Sequence, residues 1–309
     1  MPEAPNLAIL NREEASVLAA KHFGQQISLL HDLANYGSNL VLRAYASSEK
    51  DMADILVCGV LLKQIVSMLD SIEVLLAAGI VHAGFLPARA AFEASIYLDW
   101  ILFSDSDRKA RCYLVANYRD ERLWALRVID GTPEKAAVDV AAADMGLDLH
   151  ASLPTLAADA TKRLAEVNRI LAQEELQKID QEFDQKRGKR KRDLDWYELA
   201  GAKSIRQVAD AVDRLPEYDY LYSKGSQITH SAAYKNHIRF ANNKVHLKAV
   251  RNLDDVDTLV KFVVAIGIRS FQRVLKHYRP GELPAFSKTY IADWRTPYMT
   301  VKSVKYDFS

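Results

Sequence analysis

The apolar residues recur at helical spacing along nearly the whole chain, and this periodicity limits the architecture before any motif is considered. Met52 to Leu76 carries Ile55, Leu56, Leu62, Ile65, Val66, Leu69, Ile72 and Leu76, an apolar surface broad enough for a helix buried on most sides. Gly79 and Gly84-Phe85-Leu86-Pro87 predict a turn, with Pro87 near the start of a second helix that runs to about Phe103. Ser104-Asp105-Ser106-Asp107 ends it and can cap a third helix from Arg108 to Asp130, which Gly131-Thr132-Pro133 stops. A small Ala-rich helix over 133–143 and a long polar one from Pro154 to about Gln185 follow. Core-like sequence resumes at Trp196, with short helices over 204–215 and from about Ser223. A long helix spans about Asp254 to Tyr278, ended by Arg279-Pro280-Gly281. No strand-turn-strand alternation is read before residue 285, and the Tyr-, Thr- and Val-rich tail reads as extended or as a short strand.

The expected fold is therefore all-α: a single multi-helix bundle with its core at about 13–131 and 196–280. A helical arm or insertion occupies 132–195, and an extended tail 281–309. Hydrophobic residues make up 49% of 309 residues, enough for a sizeable core.

Several classes fall away. Lys+Arg 41 against Asp+Glu 40 leaves a net charge of +1, so any nucleic-acid contact has to come from a local patch. The glycine spacing contains neither a dinucleotide fingerprint nor a P-loop. There is no Glu-x-x-His of the di-iron bundles and no Gly-x-Ser-x-Gly elbow. Cys58 and Cys112 have no metal or redox spacing and fit a reducing, cytoplasmic compartment. Met1 to Glu14 lacks the pattern of a secretory signal, and the uncharged run Ile55–Leu62 is short for a membrane span. No metal or cofactor is expected.

Two segments put polar groups on otherwise apolar surfaces. Arg89 and Glu93 are four apart, on one face, among Ala88, Ala90, Ala91, Phe92 and Ala94. Such a pair is either a structural network or an anion site in which Glu93 orients Arg89. Tyr222, Ser226 and His230 fall on one stripe if their segment is helical, which would allow a proton relay through His230 or simply a satisfied core network. Gly225 weakens that helix by about 1 kcal/mol relative to alanine. His237 and His246 extend the neighbourhood, but the seven-residue step from His230 to His237 is too long for one metal ion. Arg239 and His246 fit the loose Arg-x(4–6)-His pattern of metal-independent helical ribonucleases, a pattern common by chance. Tyr218, Tyr220, Tyr222 and Tyr234 could stack on bases or pack inside. Lys186 to Arg192 packs six basic residues, Lys189 and Arg190 among them, into seven positions. It reads as a solvated turn neutralised by Glu174, Glu175, Asp180, Glu182 and Asp184, or as a phosphate-binding patch.

Leu86 to Glu93, with its Arg-x-x-x-Glu, and Tyr222 to Ser231, with its Tyr…Ser-x-x-x-His, resemble a large uncharacterised bacterial family of all-helical proteins. The resemblance covers about 50–131 and 196–278 and leaves the arm outside. That family is in turn similar in general plan to the helical HEPN superfamily, which includes toxin and anti-phage ribonucleases and inactive binding domains. Arg239 is followed here by Phe240, where the usual residue is polar. The resemblance implies a metal-independent ribonuclease of toxin or phage-defence type, working as a homodimer on RNA. In it His230 or His246 would move the proton, Arg89 would stabilise charge, Glu93 would hold Arg89, and Tyr222 and Ser226 would position the phosphate. The alternative is a non-catalytic module that binds a nucleotide, a nucleic acid or a partner protein of the same operon.

Overall fold

The structure is a computed structural model that describes residues 10–46, 52–147, 153–190, 192–230, 234–241 and 244–304. Lys191 of the basic run, Ser231 of the second motif and the last five residues of the tail lie outside the described residues. In chain order the helices are α1 (Arg12–Ala46), α2 (Met52–Ala77), α3 (Val81–Ile101), α4 (Ser106–Leu126), α5 (Pro133–Asp144), α6 (Leu153–Leu171) and α7 (Glu174–Arg187). After them come α8 (Trp196–Leu199), α9 (Ile205–Ala211), α10 (Leu215–Glu217), α11 (Ser223–Thr229), α12 (Val256–Tyr278), α13 (Leu283–Thr289) and α14 (Arg295–Met299). The fold is all-α with multiple helices. The chain forms two compact units, one from residues up to 104 and from 206 onward, the other from 105–205.

In the first unit α1, α2 and α3 pack in sequence, and α12 lies against all three. The apolar stripe of α12, which includes Leu259, Val263, Ile266, Phe271 and Leu275, is fully buried. Each such side chain contributes about 1.5–3 kcal/mol, and this burial holds together two stretches of chain far apart in sequence. By length and composition α2, over Ala53–Ala77, is also apolar enough to cross a membrane. Its packing between α1 and α3 gives the same apolarity a place in the core.

Three local expectations are corrected. Gly79 alone, with φ +71, makes the turn after α2, and α3 already begins at Val81, so Gly84 and Pro87 lie inside the helix. An interior proline costs about 3 kcal/mol. Burial of Phe85, Ala88, Ala91 and Phe92 around it outweighs that cost. The segment after His237 forms an antiparallel hairpin, β1 (Ile238–Ala241) with β2 (Lys244–Leu247), where no strand was expected. Ile238 and Phe240 alternate with Arg239, and Val245 and Leu247 with His246, which is the two-residue period of a strand. The tail is helical through Met299 rather than extended. Phe286 and Trp294 are buried there and pack edge-on and tilted around Tyr36 of α1, and this ring burial overrides the strand preference of Tyr, Thr and Val.

The second unit is wider than the expected arm, because α4 packs with α6, α7 and α8. Thr132 caps α5 by accepting from the Lys135 amide, with Pro133 at the first helical position. Asp195 and Glu198 form a reciprocal capping box on α8. Between α4 and α7 the contact is ionic. Arg119 is only 5% exposed and bonds Asp180, Asp184 and Asp193. Arg122 joins it at Asp180, Arg108 clasps Glu182 with two bonds, and Arg111 pairs with Asp107 and Glu175.

Candidate functional site

Arg89 and Tyr222 meet. The Arg89 Nε donates to Glu93 Oε1 at 3.0 Å, the one-turn spacing on α3 bringing the two groups together. The guanidinium lies 3.8 Å from the centre of the Tyr222 ring, a close cation–π contact. Tyr222 in turn stacks on Tyr218, with centroids 4.6 Å apart and planes at 21°. Both rings lie on a π-helical turn over Tyr218–Tyr222, inserted between α10 and α11, where residues four apart are neighbours on one face. Gly225 closes the assembly. A Cβ there would sit 2.8 Å from Arg89 Cδ and 2.9 Å from Arg89 Cβ, so only glycine lets α11 approach this closely. The helix-weakening residue of the sequence is thus the one that admits the arginine.

The rest of the anticipated stripe lies elsewhere. Ser226 is half-buried on α11, and its carbonyl accepts the His230 amide. α11 ends at Thr229, so His230 is an exposed cap residue. Among the described residues its side chain makes no hydrogen bond or ion pair with Arg89 or Glu93. His237 packs edge-on against His82, ring centres 5.6 Å apart, and Asn236 Nδ2 lies 2.8 Å from His82 Nδ1. His82 and Asn236 were missed in the sequence, although His82 precedes Arg89 by seven residues and so shares its face of α3.

Burial lowers the His82 pKa from 6.5, helped by His237, Lys224 and Lys248 and opposed by Asp255. The unfolded chain therefore takes the proton first as pH falls. The contribution of His82 to stability is complete above pH 6.5 and is lost as pH falls from there through the folded pKa. An NMR titration of the His82 ring should give a midpoint below 6.5, and one at or above that value would refute this reading.

A concave site borders the hairpin. Arg239 and His246 are directly paired across β1 and β2, which puts their side chains on the same face of the ribbon. With Lys248, Arg251, Glu14 and Asp254 they line a pocket of about 290 Å³. Lys248 is held by Asp254 at 2.7 Å, and Arg251 donates to the Ala78 carbonyl at 3.1 Å. The opposite face of the ribbon leaves Phe240 and Val245 exposed.

Behind the Arg89 assembly lies a buried ionic centre that the sequence did not reveal. Asp99, fully buried on α3, receives Arg214 at 3.1 Å, Arg269 at 3.3 Å and Arg273 at 3.1 Å. Arg214 also bonds Ser95 and Glu217 and lies over the Phe92 ring. In the second unit Lys189 and Arg190 are exposed beyond α7, with Arg190 3.4 Å from Glu198.

Among the described residues no group of three or more His, Cys, Asp or Glu side chains is placed to hold a metal ion. Cys58 and Cys112 are buried thiols, and burial pushes both up, Cys112 to about 11.

No curated protein and no solved structure matches the chain. A family profile does match, over residues 54–245, and that span includes both polar motifs and runs through the arm that the resemblance left out. With well over half of its length matched, the chain belongs to DUF5677, a family of unknown function.

Proposed function

We propose that the protein is a metal-independent ribonuclease whose reacting phosphate sits in the pocket beside the hairpin. The observation that carries this reading is the cross-strand pairing of Arg239 with His246 on the wall of a pocket that also presents Lys248 and Arg251. Histidine is the side chain whose ordinary titration lies nearest neutrality, and arginine forks onto phosphate oxygens. In the proposed step His246 takes the proton from a ribose 2′-OH, and the oxygen attacks the adjacent phosphorus. The 5′ oxygen leaves and takes a proton from water in the open pocket. The products are a 2′,3′-cyclic phosphate and a 5′-hydroxyl. Arg239 neutralises the charge that builds on the phosphate oxygens. Arg89, Glu93 and Tyr222 hold α3 to α11 in the unit that carries the hairpin.

The test is RNA cleavage by purified protein with EDTA present. Wild type is expected to cut and leave cyclic phosphate ends. His246→Ala is expected to lose about 10²–10⁴-fold in rate, the range of general acid–base catalysis. His230→Ala is expected to keep its rate, since among the described residues that side chain does not line the pocket. Full activity in His246→Ala, or loss confined to His230→Ala, would overturn the assignment.

The closed bonding of Arg89 with Glu93 and Tyr222 favours a second reading, a module that binds a nucleotide without turnover. It predicts a nucleotide-dependent rise in melting temperature and no cleavage products.

A further inference from the structure

We propose that the turn after α7 in the second unit is a docking surface for the phosphate backbone of a nucleic acid. The local sequence suggests that the acidic residues of α7 neutralise this turn. The structure commits those carboxylates elsewhere. Asp180 and Asp184 bond Arg119, Glu182 bonds Arg108, and Glu175 pairs with Arg111, all on α4. Asp193 is also taken by Arg119, at 2.6 Å. The positive charge beyond α7 is therefore opposed chiefly by Glu198, 3.4 Å from Arg190, and by Asp195, 3.0 Å from Arg192. Both carboxylates already serve the cap of α8.

Two backbone hydrogen bonds shape the described part of the turn. Gly188 leaves the helix with φ +52, its amide bonds the Asp184 carbonyl at 3.3 Å, and the Arg190 amide bonds the Arg187 carbonyl at 3.0 Å. Lys186, Arg187, Lys189 and Arg190 are all exposed along it. Half of the basic residues in the run are arginines, whose planar fork matches a phosphate diester. The run from Lys186 to Arg192 contains no apolar side chain to enter a lipid interface, so a phosphate backbone fits it better than a membrane does. This surface belongs to the second unit and does not depend on the cleavage reading.

The experiment measures binding of a fluorescein-labelled single-stranded RNA by anisotropy between about 50 and 200 mM salt. The full chain carries His246→Ala in every sample, so that cleavage, if present, does not intrude. The comparison is with the same chain carrying Arg187→Gln, Lys189→Gln and Arg190→Gln. Each backbone contact adds about 0.7 to the slope of log affinity against log salt for a single strand, so three lost contacts should flatten it by about 2. Across that salt range the parent should lose about 20-fold more affinity than the variant. Unchanged melting of the variant serves as the folding control, and Lys189→Glu alone should flatten the slope as well. An unchanged slope, no RNA binding by the parent at low salt, or binding only to phosphatidylserine vesicles would each overturn the proposal. None of these outcomes bears on whether the chain with His246 cuts RNA.

Discussion

Replacing Asp99 with alanine is expected to lower the stability of the first unit by about 3–5 kcal/mol, the cost of removing one partner from a buried ionic network. Asp99 is fully buried and is the shared acceptor of Arg214, Arg269 and Arg273. Arg214 has a fully buried side chain and, among the described residues, would keep Ser95 and Glu217 as polar partners. Water reaches the Arg269 and Arg273 side chains, which are 40% and 28% exposed, so part of their loss is recovered by solvation. Arg214 cannot recover in that way, and its stranded charge sets the size of the effect. For a unit of this size the loss corresponds to a fall in melting temperature of about 6–20 °C. Urea unfolding at neutral pH would measure it, and a change below about 1 kcal/mol would show that the network is better solvated than its burial implies. Glu217→Gln should cost less, since that side chain is 28% exposed and retains two hydrogen-bonding positions.

The second unit has its own test in Arg119→Met. This side chain is 5% exposed and bonds three aspartates, so its removal takes one cation from Asp180, Asp184 and Asp193, of which Asp180 keeps Arg122. The expected loss at neutral pH is smaller, about 1–3 kcal/mol, because water reaches the stranded carboxylates, which are 16%, 57% and 33% exposed. The unit also has a pH dependence of its own. In the wild type the hydrogen bonds from Arg108 hold Glu182 below its ordinary 4.5. That stabilisation is present above pH 4.5 and is lost as pH falls through the folded pKa, so the wild-type unit weakens in acid. Arg119→Met leaves Arg108 on Glu182, so the variant should weaken in acid in parallel with the wild type. A loss below about 1 kcal/mol in urea unfolding at neutral pH would show that these carboxylates do not depend on Arg119. The Arg119 guanidinium also lies 5.2 Å from the centre of the Phe183 ring, so part of the loss is packing.

The long helices were legible because each repeats its apolar residues over many turns. α2, α4 and α12 follow the positions their periodicity implies, and the pairing of Arg89 with Glu93 follows from a one-turn spacing. Short elements were not. Four-residue strands give a weak period, and the alternation of Ile238, Phe240, Val245 and Leu247 was hidden beside a helical reading of the preceding residues. The tail helices depend on Tyr36, about 250 residues earlier, which no local pattern reports. The acidic residues of α7 were read with their sequence neighbours, whereas α4 supplies their partners from some 60–75 positions away. Asp99 looked like one more polar residue on a helix, because an ionic centre assembled from α3, α12 and Arg214 has no signature in any one of them. His82 shared the face of Arg89 and could have been found by extending the same stripe two turns back.

The order in which the ribosome delivers these helices has a consequence for synthesis. α1, α2 and α3 emerge early, but α12, which covers their shared apolar surface, starts about 150 residues after α3 ends. At ~5–20 residues per second that surface waits roughly 8–30 seconds for its partner, far longer than a helix needs to form. The second unit lies wholly between these stretches and can complete itself during the delay. Nascent chains stalled before residue 256 should therefore present an uncovered three-helix surface to chaperones at the ribosome, and chains released after residue 278 should not.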